Sequence, residues 1–559
     1  MKYKRLGDLL LSVGLITEEQ LNQALAMQKE TKERLGTTLI QGGFITEGQL
    51  IDALRMQLGI EFVDLTKTDI QPEMVEQIPK NMAKKYGVIP VKLERDHLFL
   101  AMSDPLNFMA IEEVRTATRK KIIPMIASEN GVEHAIANLY GNEGAARAIA
   151  QMRQEAGFVR QDEVESNNEG EAASAPTIRL VNSIIERAVV EGASDIHLEP
   201  SEGDMNIRMR VDGRLHSMLQ VPRDLQESVV SRMKIMGRMD IAEHRIPQDG
   251  RAEIRIKSKD IDLRLSTLPT IYGEKIVIRL LNREAALLDR AGIGIRSDDS
   301  KKMDRLLQHN SGVILLVGPT GSGKSSTMYT MIKELNQDTV NLITLEDPVE
   351  YHVDGITQVQ INEKTGMTFA NGLRAILRQD PDIICVGEIR DGETAEIAMR
   401  AAMTGHLVIS TLHTEDAISA IDRLRDMGVE PYLIAGGLRG IISQRLVRKI
   451  CPNCKEAYEP AEDKMELMGF DPMSHNTFYH GKGCPLCFHS GYRGRTGVFE
   501  FLMMNEKIRT CITETADKQT LRKVMKESDF VSMAEHAKEL VINGVTTVEE
   551  ICRTISQTD

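Results

Sequence analysis

The chain has 559 residues, a formal net charge of −13, 42% apolar residues and 27% charged residues. That length exceeds a single hydrophobic core and predicts roughly three or four domains. The acidic balance disfavours broad nucleic-acid binding, no run of 18 or more apolar residues offers a membrane span, and the start, Met1-Lys-Tyr-Lys-Arg5, lacks the apolar stretch of a secretory signal.

The first region, residues 1–59, carries an internal repeat. Arg5-Leu6-Gly7 recurs as Arg34-Leu35-Gly36, and the same offset of 29 relates Leu10 to Leu39, Gly14 to Gly43, Thr17 to Thr46, Leu21 to Leu50 and Gln28 to Gln57. Matches at one offset predict a duplicated unit of helix, glycine turn and helix. Thr17 with Gln20, and Thr46 with Gln49, are capping-box pairs that start the second helix of each copy.

Residues 60–140 read as a small α/β domain, with strands at 86–91 and 97–101 and a helix at 109–119. Residues 141–176 lose apolar periodicity and read as a flexible linker. Residues 177–288 read as an α/β domain with an antiparallel sheet, because 205–211, 252–257 and 261–265 alternate apolar and polar residues. From 289 to 559 helical segments alternate with buried apolar strands, the pattern of a parallel-sheet core.

Within that core, residues 318–325 read Gly318-Pro319-Thr320-Gly321-Ser322-Gly323-Lys324-Ser325, and Ser326 follows. This is the phosphate-cradling loop of a nucleotide hydrolase. Its glycines turn backbone N–H groups inward, Lys324 sets a point charge on the β- and γ-phosphates, and the Ser325 hydroxyl can ligand Mg²⁺. An apolar strand at 313–317 precedes it and a helix from 326 to 335 follows, as such a loop requires.

Three further segments carry chemistry. Residues 343–350, Ile-Thr-Leu-Glu346-Asp347-Pro-Val-Glu, run a strand into an acidic turn. A carboxylate at a strand's C-terminal end can orient or deprotonate an attacking water, or belong to an ordinary acidic loop. The strand at 382–388 ends on Glu388, placed to hold Mg²⁺ directly or through water. His406 and His413 flank another apolar strand, where they would either sense the γ-phosphate or serve structure. Finally, Cys451-Pro-Asn-Cys454 and Cys484-Pro-Leu-Cys487 form two thiolate hooks. They fit a structural, tetrahedral Zn²⁺, since four thiolates leave no open position for catalysis. Paired Cys-x-x-Cys motifs suit a reducing cytoplasm better than a disulfide scaffold.

Taken in order, these segments resemble the secretion ATPase superfamily that powers type II secretion and type IV pilus assembly. The match rests on 318–325, on 346–350 (similar to its aspartate box), on 378–391 (similar to its Walker B box), on 404–413 (similar to its histidine box), and on 193–200 and 264–274 upstream. Glu415 departs from the asparagine usual in the family. The resemblance implies a RecA-like P-loop ATPase core and a homo-hexameric motor at the cytoplasmic face of the inner membrane. It also implies a membrane platform protein as partner. Glu346 corresponds to the catalytic carboxylate and Glu388 to the Walker B acid, and Arg210, Arg264 and Arg279 lie in strands from which upstream arginines reach ATP. The repeat resembles a cyclic di-GMP-binding module, with Arg5, Gln28, Arg34 and Gln57 as its candidate ligands; a helical docking domain without a ligand is the alternative. Two other functions compete with the motor: a nucleotide-binding signal receptor with negligible turnover, and a DNA-uptake or translocation relative.

Overall fold

The computed structural model describes the chain apart from residues 1–6, 8–9, 12, 32–34, 46, 66–67, 69, 106, 130, 137–138, 141–148, 150, 153–169, 257–258, 283–287, 471–476, 515–517 and 556–559. Two compact units are present: residues 1–250 with 265–278 and 484–486, and residues 251–264 with 279–483 and 487–559.

In the first unit the repeat folds into helices that include Glu18–Thr31, Leu35–Gln41 and Glu47–Leu58. Leu10, Ile16 and Ala24 share one buried cluster with Leu39, Ile45 and Ala53, each pair separated by 29 residues. Gly14 and Gly43 adopt φ of +73° and +70°, the left-handed turn that glycine makes without strain. The Thr17 N–H donates to Gln20 Oε1 at 2.9 Å and the Gln20 N–H donates to Thr17 Oγ1 at 3.3 Å, closing the expected capping box. Thr46, its counterpart, lies outside the described residues.

Next comes a three-stranded sheet of Val88–Glu94, His97–Met102 and Lys121–Ile126. The middle strand pairs antiparallel with the first and parallel with the third, across the helix Phe108–Thr118. The third strand is an addition to the sequence reading; Pro124 inside it hides its β pattern. Most of residues 141–176 lie outside the described residues. The helix Gly170–Val190, however, begins before the boundary expected at 177 and contains Pro176. A six-stranded sheet follows in the order Arg214–Val221, Met205–Val211, Asp195–Glu199, Gly273–Asn282, Lys259–Thr270, Gln248–Ile256. In its second strand Met205, Ile207 and Met209 are buried and alternate with partly exposed Asn206, Arg208 and Arg210.

The second unit is built on a seven-stranded sheet in the order Thr357–Gln360, Leu342–Glu346, Ile383–Val386, Leu407–Leu412, Gly312–Val317, Leu438–Ile450, Tyr492–Met503. The first six run parallel and the last is antiparallel, an edge the sequence does not announce. Helices cover both faces, so the interior strand Gly312–Val317 is apolar after its glycine: Val313, Leu315 and Val317 pack on one side, Ile314 and Leu316 on the other. Four helices, Glu506–Glu514, Lys518–Lys526, Met533–Ile542 and Val548–Ile555, complete this unit. Buried Glu500 accepts the backbone N–H of Ala417 at 3.4 Å and of Met533 at 3.3 Å, the first residues of two helices. Among the described residues, no helix is long and apolar enough to cross a membrane.

Candidate nucleotide site and tetracysteine cluster

The C-terminal ends of the parallel strands gather the chemistry, as they do in open α/β sheets. Strand Gly312–Val317 delivers the glycine loop, and helix Lys324–Leu335 leaves it two residues earlier than the sequence suggests. Backbone closeness explains the glycines. A Cβ at Gly318 would lie 2.4 Å from the Gln444 carbonyl oxygen, and Gly323 caps the helix at φ +91°. Pro319, Thr320, Gly321 and Ser325 are exposed, and Ser326 is half-buried. Ser322 Oγ is buried without a hydrogen-bond partner among the described residues. Thr327 donates to Gln444 Oε1 at 2.7 Å, tying the helix to strand Leu438–Ile450.

Lys324 Nζ donates to the carbonyl oxygens of Gly318 at 2.8 Å and Pro319 at 3.0 Å. Burial pushes its pKa down to about 8, Glu388 opposes the shift and Arg445 adds to it. The ammonium is therefore held at the loop, partly desolvated, where an anion gains most from it.

Glu388 follows strand Ile383–Val386 and is half-buried. Its Oε1 accepts from Arg390 at 2.5 Å, and His413 Nε2 lies 3.3 Å from its Oε2. Burial alone would push this carboxyl up, but Arg390 and His413 hold it below its ordinary value. The same guanidinium reaches Asp347 at 3.2 Å and sits over the Phe369 ring. Lys324, Glu388, His413 and Asp347 thus form one electrostatic group, braced by Arg390. Arg390 is a functional candidate that sequence reasoning missed; the only available signal was its place two residues after Glu388.

Glu346 ends strand Leu342–Glu346 and is only 3% exposed. Its carboxylate accepts from Tyr329 Oη at 2.6 Å, Thr344 Oγ1 at 2.7 Å and Gln358 Nε2 at 3.3 Å. The histidines part company. His413 stands at the strand end beside Glu388, whereas His406 lies at the opposite end, its Nδ1 3.0 Å from the Ala401 carbonyl oxygen of the preceding helix. His406 caps a helix C-terminus there, the structural one of the two roles expected for the histidines.

The arginines also separate. Arg264 donates to the Val349 carbonyl at 2.7 Å and pairs with Glu350 at 3.0 Å, gripping the acidic turn. Arg279 bears on Tyr351: burial and Glu350 push that phenol up, and Arg264 and Arg279 oppose them. Arg210 belongs to the first unit, where it donates to the Gly213 carbonyl at 3.0 Å and lies 3.7 Å from Asp195.

Cys451, Cys454, Cys484 and Cys487 converge, with all four Sγ atoms within 4.8 Å of one another. Three are buried and Cys454 is half-buried. Cys454 Sγ and Cys487 Sγ are 3.8 Å apart. That separation is far beyond a disulfide bond, and it matches two corners of a tetrahedron with metal–sulfur distances of about 2.3 Å. The Gly483 and Gly491 N–H groups donate to Cys454 and Cys487 sulfurs at 3.3 Å, the support that thiolate ligands receive. The four cysteines therefore fit a metal ion. Of the repeat's candidate ligands, Gln28 lies half-buried on helix Glu18–Thr31 and Gln57 falls within helix Glu47–Leu58, while Arg5 and Arg34 lie outside the described residues.

The family model described as type II/IV secretion system protein matches residues 170–553. This chain belongs to that family. It is a secretion-family ATPase, and a second model, the MshEN domain, matches residues 58–146, beginning where the repeat ends. The chain is 42% identical over 484 residues to type II secretion system protein E of Pseudomonas aeruginosa, covering 85% of this chain and 96% of that protein. It is 38% identical over 556 residues to the type IV pilus assembly ATPase PilB of Myxococcus xanthus, covering 98% of each. The X-ray structure of the Yersinia pseudotuberculosis ATPase DotB has a TM-score of 0.52 at 20% identity, covering 70% of this chain and 96% of that one, a likeness of fold alone.

Proposed function

We propose that this ATPase is a motor that adds subunits to a type IV pilus or a type II secretion pseudopilus, acting as a homo-hexamer on an inner-membrane platform protein from the cytoplasmic side. The observation that carries the reading is the meeting of Lys324, Glu388 and His413 at one edge of the parallel sheet, with Glu346 on the neighbouring strand end. Residues 318–326 would cradle the triphosphate, and Lys324 would neutralise charge on the phosphoryl group in transfer. Glu346 would orient the attacking water, and His413 would register the γ-phosphate through Glu388. Ser325 and Glu388 would hold Mg²⁺, which supplies further charge neutralisation when bound with ATP. Arg264, Arg279 and Arg210 would supply cations from the preceding domain.

The four cysteines would hold one structural Zn²⁺, and cyclic di-GMP would regulate through Arg5, Gln28, Arg34 and Gln57. The acidic balance speaks against nucleic acid as a partner. A strain carrying Lys324→Ala in place of the native chain should keep normal protein abundance and lose its surface fibre or secreted protein. Unchanged fibre assembly and secretion by a variant without ATP turnover would overturn the motor reading.

A further inference from the structure

We propose that Tyr329, with Thr344 and Gln358, is a positioning group that fixes the Glu346 carboxylate for work on the attacking water. The inference rests on the reading that Glu346 orients that water. An ionised carboxylate as buried as Glu346 is costly unless donors surround it. The three groups that meet it are neutral. Tyr329 Oη donates to Oε2 at 2.6 Å, while Thr344 Oγ1 and Gln358 Nε2 donate to Oε1 at 2.7 and 3.3 Å. An ionised carboxylate offers about four lone-pair sites. Three donors leave one open for a water and fix the plane in which it points.

Each donor is itself aimed. The Tyr351 backbone N–H donates to Tyr329 Oη at 3.3 Å, which turns the phenolic proton toward the shorter contact on Glu346. The Tyr351 ring meets the Tyr329 ring edge-on with centroids 5.4 Å apart and holds its plane. Gln358 Nε2 also donates to the Tyr351 carbonyl at 2.8 Å, and its Oε1 accepts the Val353 N–H at 2.9 Å, so its amide is set by the backbone. Burial first, then the Glu346 charge, pushes the Tyr329 phenol far up, and it remains a donor at every working pH.

The placement links two parts of the reaction. Tyr329 and Lys324 occupy one helix, Lys324–Leu335, separated by five residues or about 7.5 Å of rise. A shift of the phosphate loop therefore carries the Glu346 donor with it as a rigid piece. This is the role a third group plays toward the base in catalytic triads.

The test is steady-state ATP hydrolysis by the full chain. Tyr329→Phe keeps the ring and removes the donor. It should lower kcat about ten- to a hundredfold with KM for ATP within about twofold, the effect of losing a hydrogen bond to a charged group. Placed on Glu346→Gln, the same change should cost less than about twofold, because partners in one unit are not additive. Thr344→Val, run in parallel, should show the same non-additivity and decides the matter if Tyr329→Phe fails to fold. A parental kcat in both donor variants, or an undiminished loss on the Glu346→Gln background, overturns the proposal. A parental rate for Glu346→Gln alone sinks the reading of Glu346 itself, and the positioning role with it.

Discussion

The nucleotide edge and the tetracysteine cluster both assemble reactive side chains at chain turns, yet they are built oppositely. At the cluster, the four sulfur atoms lie within 4.8 Å of one another and the N–H groups of Gly483 and Gly491 complete the shell. Every ligand position of a tetrahedral ion is filled from the chain, so the site can hold but not transform. At the nucleotide edge, Lys324 rests on the carbonyls of its own loop, and Glu388 on an Arg390 that is itself half-exposed. These partners are exchangeable: phosphate oxygens compete for the ammonium and a cation for the carboxylate. Closed shells make a scaffold, and provisional pairings make a site for turnover.

That contrast can be broken at several points. The largest effect belongs to Lys324→Ala, which should reduce ATP turnover roughly 10²- to 10³-fold, as loss of a transition-state charge partner does; a rate within twofold of the parent contradicts the assignment. At the cluster, Cys454→Ser should drop zinc, measured by elemental analysis, from about one per chain to near none. Its melting transition should fall by roughly 5 °C or more, while ATP affinity changes little; full zinc retention would count against four-thiolate binding. Arg390→Ala should cut kcat by about tenfold, because Glu388 and Asp347 lose their shared brace.

The pH dependence sharpens the comparison further. Lys324 is fully charged well below its pKa of about 8 and neutral above it. kcat/KM, which reports the free enzyme, should therefore fall as pH rises through about 8, and the residual activity of Lys324→Arg should lack that alkaline limb. The smallest effect concerns Glu500, whose pKa burial raises from 4.5 to about 7. The folded state keeps a proton that the unfolded chain releases in this window, so its stabilisation is complete below 4.5 and is lost as pH rises through about 7. Glu500→Gln should leave denaturant stability at pH 5 little changed and increase it by about 1 kcal/mol at pH 8.

Much of this was legible in the residues. The strand, glycine loop and helix around Lys324 follow from an apolar run ahead of Gly-x-x-x-x-Gly-Lys-Ser, since only glycines permit the approach of Gln444. The two Cys-x-x-Cys hooks foretold the cluster because each places two sulfurs on one tight turn. Strand order was not legible: Gly312–Val317 lies between Leu407–Leu412 and Leu438–Ile450, far along the chain, and local patterns carry no such information. For the same reason Arg390's reach to Asp347 and the Tyr329 contact with Glu346 escaped notice, since both join segments that sequence spacing does not relate. His406 and His413 flank one strand, and their places before and after it put them at opposite ends of the sheet, of which only the C-terminal end carries the phosphate loop.

The duplicated segment has a practical corollary. Leu10, Ile16 and Ala24 from the first copy and Leu39, Ile45 and Ala53 from the second occupy one interior. Neither copy owns a complete apolar nucleus. A truncated clone that starts between them would turn three methyl-bearing side chains of the remaining half toward water and invite aggregation, so a soluble N-terminal fragment has to retain both.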